Sequence, residues 1–143
     1  MTIHLPSVRM EPEKITINLT PVDLGKLDVL VSQGMYASRS DAIRTGIRRL
    51  LEAHESDVES AVTRNTMTVG VVQFAKRDLE EHQARGEKVR ARTVGLVWLA
   101  NDITPELADD VFESIYVLGS LRGPRDVLDR LEPKITRGWQ RKG

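Results

Sequence analysis

The fold is decided by three consecutive segments, KITINL at residues 14–19, TPVDLGKLDVLVSQG at 20–34 and MYASRSDAIRTGIRRLLEAH at 35–54. In the first segment apolar and polar residues alternate strictly, which places the two sets of side chains on opposite faces of a β-strand. In the other two segments apolar residues recur at the spacing typical of one face of a helix. The sequence therefore predicts one strand followed by two helices.

Both predicted helices begin with a capping hydroxyl. Thr20 is followed three residues later by Asp23, and Ser38 is followed three residues later by Asp41. A Ser or Thr side chain at the N-cap accepts a hydrogen bond from a backbone amide of the first turn, where an acidic residue is also favoured. Gly34 predicts the end of the first helix, because glycine readily adopts the left-handed conformation found there.

This strand–helix–helix unit is not expected to be stable alone. A single six-residue strand has two open edges, and two helices cover only part of its apolar face. The simplest way to cover the open edge and the apolar face is a second copy of the chain. Its strand would pair antiparallel with the first to form a two-stranded ribbon above four helices. The apolar residues of both chains would then form a shared dimer core, which includes Ile15, Ile17, Leu19, Leu27, Ile43, Ile47 and Leu50.

The polar face of such a ribbon is suited to DNA. Lys14, Thr16 and Asn18 of each chain would lie on its outer face. A two-stranded ribbon fits the major groove, where an ammonium group, a hydroxyl and an amide can all reach base edges.

Residues 13–55 resemble the ribbon-helix-helix superfamily of dimeric DNA-binding proteins, the MetJ/Arc/CopG type. The resemblance rests on the KITINL strand, the T-P-x-D helix start and the G-x-x-x-S-R-S-D-A-I-R pattern at the second helix. It implies base contacts by Lys14, Thr16 and Asn18, and phosphate contacts by Ser38, Arg39 and Ser40. The phosphate contacts also have a physical basis, because free backbone N–H groups and the helix dipole favour an anion at a helix N-terminus.

Composition places the chain among globular proteins. It has 143 residues, 40% of them hydrophobic, and no cysteine, which excludes disulfides and thiolate metal sites. No apolar run approaches the roughly 20 residues that span a bilayer, and no secretory signal is visible at the N-terminus. We therefore expect a cytoplasmic protein with no membrane partner.

Charge balance argues for modest electrostatic attraction to DNA. The net charge is zero, and residues 1–55 hold seven Lys/Arg and seven Asp/Glu, whereas nucleic-acid binders usually show a basic excess. We therefore expect few phosphate contacts and a weak dependence of DNA affinity on salt.

The second half of the chain contains a repeat. TVGVVQFA begins at Thr68, TVGLVWLA begins 25 residues later at Thr93, and a looser copy, VLGSLRG, begins 24 residues after that at Val117. Each copy precedes a helix-like segment, at residues 76–84, 104–113 and 124–131. Periods of 20–29 residues occur in β–α solenoids. An α+β protein is thus predicted, with three strand–helix repeats over residues 67–133 and strand edges that favour self-association.

A competing layout uses the same segments as a βαββαβ, ferredoxin-like domain, closed by a strand at 134–139. It resembles the ligand-sensing domain of the nickel-responsive regulators, which also follows a ribbon-helix-helix unit. The histidines, His4, His54 and His82, are scattered and do not match a metal site. No metal or other cofactor is therefore expected.

The remaining segments are less informative. Residues 1–12 are predicted to be a flexible arm, residues 56–66 a linker or helix continuation, and residues 134–143 a basic tail that includes Trp139. The sequence has no nucleophile motif G-x-S-x-G and no phosphate-binding loop G-x-x-x-x-G-K-[ST]. We therefore predict no enzymatic activity and no catalytic residue.

The predicted function is sequence-specific DNA binding as a transcriptional regulator, most simply a repressor, acting as a homodimer or higher oligomer. Two alternatives remain open: the antitoxin of a toxin–antitoxin pair, and a DNA-associated scaffolding protein that polymerises through its C-terminal repeats. The expected partners are double-stranded DNA and further copies of the chain. A protein partner or small ligand for the C-terminal domain is left open.

Overall fold

A computed structural model describes residues 10–138 of the chain. These residues form two compact units, one over Glu11–Ala61 and one that begins at Val62. Helices and a parallel sheet are both present, as a mixed α and β fold requires. Most of the predicted N-terminal arm and all of Trp139 lie outside the described residues.

The N-terminal unit contains α1 (Pro21–Ser32), α2 (Arg39–Ala53) and most of α3 (Glu55–Arg64). Both predicted caps are confirmed. The amide of Asp23 donates to Thr20 Oγ1 over 3.2 Å, and the amide of Asp41 donates to Ser38 Oγ over 3.1 Å. Gly34 follows α1 with φ +75°, which is the left-handed conformation expected after a helix.

Residues 10–20, which precede α1, lie in neither a helix nor a strand of the single chain. The predicted ribbon needs hydrogen bonds from a second chain, so the strand over residues 14–19 stays a prediction. Residues 56–66 are mostly helical, because α3 extends to Arg64. The structure therefore has a helix here, and not an irregular linker.

The C-terminal unit alternates strands and helices along its whole length. Its elements are β1 (Thr68–Phe74), α4 (Lys76–Ala84), β2 (Val89–Leu99), α5 (Pro105–Val111), β3 (Phe112–Arg122), α6 (Arg125–Leu131), a 3₁₀ turn (Glu132–Lys134) and β4 (Ile135–Arg137). The four strands are parallel, in the order β1-β2-β3-β4. Because crossovers between parallel strands are right-handed, successive helices lie on one face of such a sheet.

The register of the sheet aligns the repeated sequence. Thr68 lies beside Thr93, which lies beside Val117. These offsets of 25 and 24 residues are the same as the spacing between the similar stretches in the sequence.

The competing βαββαβ layout is wrong. It requires antiparallel neighbours and a direct step from the second strand to the third, whereas α5 lies between β2 and β3 and returns the chain for parallel pairing. Residues 135–137 form β4 beside β3. The main prediction placed these residues in the basic tail, whereas the competing layout placed a closing strand over 134–139. Lys134 is held just before this strand, with its ammonium donating to the carbonyl of Phe112 over 2.9 Å.

The hydrophobic core of this unit lies between the sheet and helices α4, α5 and α6. Phe74 and Phe112 meet edge to face with ring centroids 5.0 Å apart. The buried members of the core are Leu79, Ala91, Val97, Leu99, Ile103, Leu107, Ala108, Val111, Phe112, Ile115, Val117, Val127 and Leu131. The C-terminal unit therefore has a core of its own.

Three glycines form a row across the sheet. Gly70, Gly95 and Gly119 lie side by side, with φ angles of +125°, +133° and +126°. A Cβ atom on Gly95 would lie 2.1 Å from the carbonyl oxygen of Gly70, and one on Gly119 would lie 2.1 Å from that of Gly95. Glycine is required at the two inner positions both by the backbone conformation and by the close approach of the next strand.

Substitution of these glycines separates the two requirements. Gly70→Ala introduces only the unfavourable φ, because nothing lies within 4 Å of its Cβ position, and is expected to cost about 1–3 kcal/mol. Gly95→Ala adds the collision with a backbone carbonyl and should lower the free energy of unfolding further. Urea denaturation of both variants measures the difference. Equal losses at the two positions would show that the close approach is unimportant.

Candidate nucleic-acid interface

The segment before α1 is exposed on both of its faces. Lys14, Thr16 and Asn18 are exposed. Ile15 retains 71% of its accessible surface and Ile17 retains 53%. The structure thus brings the three predicted base-contacting residues together on one accessible segment, and the apolar residues between them are left without a core.

The apolar faces of α1 and α2 are also incompletely covered. Leu27 and Ile43 are half-buried, whereas Ile47 and Leu50 are exposed. Within the described residues of the N-terminal unit, Ala42 is the one buried side chain. About fifty residues with a single buried side chain cannot offset the entropy lost on folding. The residues predicted to form the dimer core are therefore available for an interface.

Two side chains accept backbone hydrogen bonds at the N-terminus of α2. Ser38 Oγ accepts from the amide of Asp41, and Asp41 Oδ2 accepts from the amide of Ala37 over 3.0 Å. In helix geometry the first amides, those of Arg39 and Ser40, have no carbonyl partner within the helix. They point outward at the positive end of the helix dipole, where an anion such as phosphate is favoured.

The side chain of Arg39 has a different position from the one the sequence suggests. Its Nε and Nη2 donate to Asp28 Oδ1 and Oδ2 over 2.7 and 2.8 Å, which joins the start of α2 to α1. Of the three residues predicted to contact phosphate, Arg39 is thus engaged with a carboxylate of its own chain. Sequence reasoning missed Asp28, because residues 28 and 39 face one another only when the turn after α1 is known.

This ion pair changes the titration of both groups. The hydrogen bonds and charge of Arg39 lower the pKa of Asp28 below its ordinary value of 3.8, although partial desolvation opposes the shift. The same contact raises the pKa of Arg39. Both side chains are about half exposed, so solvent screens the pair.

Over residues 10–138, no group of three or more His, Asp or Glu side chains could hold a metal ion. Within the same residues, no helix has the length and apolar character needed to cross a membrane.

Comparison with known proteins gives two matches. Residues 10–128 match the model of a family described as the Ribbon-Helix-Helix transcriptional regulator family. An uncharacterised protein of Archaeoglobus fulgidus is 38% identical over 53 residues, which cover 37% of this chain and 88% of that protein. No solved structure matches.

The contribution of the Asp28–Arg39 pair to the stability of the folded protein should depend on pH. Because the pKa of Asp28 is lowered on folding, the pair stabilises the protein fully above about pH 3.8, and this stabilisation is lost as the pH falls through the lowered pKa. Asp28→Asn should therefore lower the unfolding midpoint at pH 7 and have progressively less effect in acid. Thermal unfolding of the wild type, Asp28→Asn, Arg39→Gln and the double variant at several pH values measures the coupling. If Asp28→Asn lowered the unfolding midpoint by the same amount at pH 7 and pH 2, the stabilising role of the ion pair would be contradicted.

Proposed function

Because the chain belongs to the ribbon-helix-helix transcriptional regulator family, we propose that it is a repressor that binds a specific DNA sequence as a homodimer. The family supports DNA binding, dimerisation and a role in transcription. The observation that carries the finer proposal is the exposed segment over residues 14–19, which alternates apolar and polar side chains and belongs to no sheet in the single chain.

In this proposal the two copies of the segment pair antiparallel. Ile15, Ile17 and Leu19 of each chain turn toward the helices and become buried. Complete burial of a side chain of this size contributes about 1.5–3 kcal/mol. Ile15 and Ile17 still expose more than half of their surface in the single chain, so most of that gain is available to dimerisation.

Pairing leaves the polar side chains on the outer face of the ribbon. Lys14, Thr16 and Asn18 from both chains would enter the major groove, where hydrogen bonds to base edges distinguish one sequence from another. Six such side chains, three from each chain, read a two-fold symmetric site.

The N-terminus of α2 would position the ribbon by binding a phosphate. The amides of Arg39 and Ser40, together with the Ser40 hydroxyl, supply the donors. We assign the Arg39 guanidinium a positioning role, because its bidentate bond to Asp28 fixes the start of α2 against α1. With zero net charge, the complex should have a shallow salt dependence.

The C-terminal unit would serve assembly. We propose that its three strand–helix segments are repeats of one unit, stacked in the register that aligns Thr68 with Thr93 and Val117. Its buried core favours this role over that of an antitoxin, whose toxin-binding tail is usually disordered.

Removal of the polar side chains tests base recognition. The Lys14→Ala, Thr16→Ala, Asn18→Ala triple variant should lose its preference for the operator over random DNA, because base contacts specify and phosphate contacts only position. The operator is first obtained by selection of bound fragments from random DNA, and binding is measured by fluorescence anisotropy. Lys26→Ala, which removes an exposed cation from α1, is the control and should keep the preference. A triple variant that still prefers the operator would refute the assignment.

Substitution within the ribbon tests the dimer. Ile17→Asp should dissociate it, because the carboxylate would be buried in the shared core. Thr16→Asp places the same charge on the outer face of the same strand and should leave the dimer intact while it weakens DNA binding. Analytical ultracentrifugation measures the oligomeric state of both variants. If Ile17→Asp sedimented as the wild-type dimer, the ribbon would not be the dimer interface.

A further inference from the structure

The second half of α2 and the first half of α3 lie in solvent. Every residue from Gly46 to Ser60 is exposed in the single chain. The segment covers about four turns of helix. Helices shorter than about 12–15 residues are only marginally stable in water, and in proteins most of their stability comes from packing of an apolar face. A surface supplied by another molecule would therefore stabilise this segment.

One face of the two helices is apolar. Successive residues of a helix are about 100° apart around its axis, which places the larger apolar side chains of α2 and α3 within an arc of about 100°. No Lys, Arg, Asp or Glu falls within this arc. We call it the helical stripe, and it consists of Ile43, Ile47, Leu50, Leu51, Val58 and Ala61, with His54 between α2 and α3.

The helical stripe is exposed on both sides of the break at His54. Leu50 retains 58% of its accessible surface, Leu51 retains 56% and Val58 retains 45%. The break is short, because the amide of Val58 already donates to the carbonyl of His54 over 3.0 Å, as in a regular helix. The His54 ring has its Nδ1 3.0 Å from Asp57 Oδ2, so a partner could cover the stripe without leaving this nitrogen unpaired.

The position of the helical stripe indicates that its partner is the second chain. Proteins of this family dimerise, and the first part of the stripe, at Ile43, Ile47 and Leu50, belongs to the predicted dimer core. Leu51 and Val58 continue the same face within the same compact unit. A molecule that covers the first part of the stripe is therefore placed to cover the rest.

We propose that the second chain covers the helical stripe as far as Val58, so that α3 forms part of the dimer interface. This inference rests on the proposed ribbon dimer and extends it beyond residues 13–55. A two-fold axis presents the same surface from both chains, and a stripe without Lys, Arg, Asp or Glu opposes no like charges when it meets its own copy. The stripe offers no cation to a phosphate, so it does not suit DNA.

The test measures the dissociation constant of the full-length dimer by sedimentation equilibrium. Val58→Asp should raise this constant at least about tenfold, because the interface would bury an unpaired carboxylate. Ser60→Asp is the matched control. It adds the same charge to α3 about 200° further around the helix, outside the helical stripe, and should change the constant by no more than about twofold.

A second variant separates burial from loss of folding. Valine and threonine have similar helix propensities, so Val58→Thr keeps α3 intact but adds a hydroxyl to the proposed interface. It should raise the dissociation constant in the same direction as Val58→Asp, by a smaller factor. Circular dichroism at concentrations where each variant is dimeric should give the helix content of the wild type.

The outcomes separate the α3 interface from the ribbon dimer. A wild-type dissociation constant for Val58→Asp would overturn the α3 interface and leave the ribbon dimer standing. Equal rises for Val58→Asp and Ser60→Asp would also overturn it, because the cause would then be repulsion between charges and not burial. A wild-type chain that stayed monomeric at every concentration would overturn both proposals together.

Discussion

The N-terminal unit depends on a partner for its hydrophobic core. Its helices are well capped and its apolar residues are correctly spaced, yet Ala42 is its one buried side chain among the described residues. Local interactions determine where α1 and α2 begin, but they bury too little surface to hold the elements together. In the proposed dimer this incompleteness would serve function, because the segment that pairs with the second chain would also present polar side chains on its other face.

In the proposed complex, the start of α2 would combine stability with anion binding. Ser38 Oγ accepts from the amide of Asp41, and Asp41 Oδ2 accepts from the amide of Ala37. Arg39 binds Asp28 across the turn. These contacts use side chains and leave the first backbone amides of the helix pointing outward. A phosphate at this point would therefore meet a preformed site, which lowers the entropy cost of binding.

The sequence predicts the features that depend on near neighbours. The caps at Thr20 and Ser38 are set by residues three positions apart, and the alignment of Thr68 with Thr93 follows from a repeated pattern. Features that depend on distant contacts were missed or misplaced. The Asp28–Arg39 pair requires the angle between two helices. A strand over 134–139 was expected only in the competing layout, and the β4 that forms there is just three residues long. Its place beside β3 depends on the returning α6 and on Lys134, whose side chain binds the carbonyl of Phe112.

The central claim is that residues 14–19 of two chains form one antiparallel ribbon. The most direct measurement is isotope-filtered NMR on a dimer made of one ¹⁵N,¹³C-labelled chain and one unlabelled chain. The account predicts nuclear Overhauser effects between the two chains within this segment, across Thr16 and Ile17, with extended-strand chemical shifts. Helical shifts for the segment, or contacts only within one chain, would contradict it.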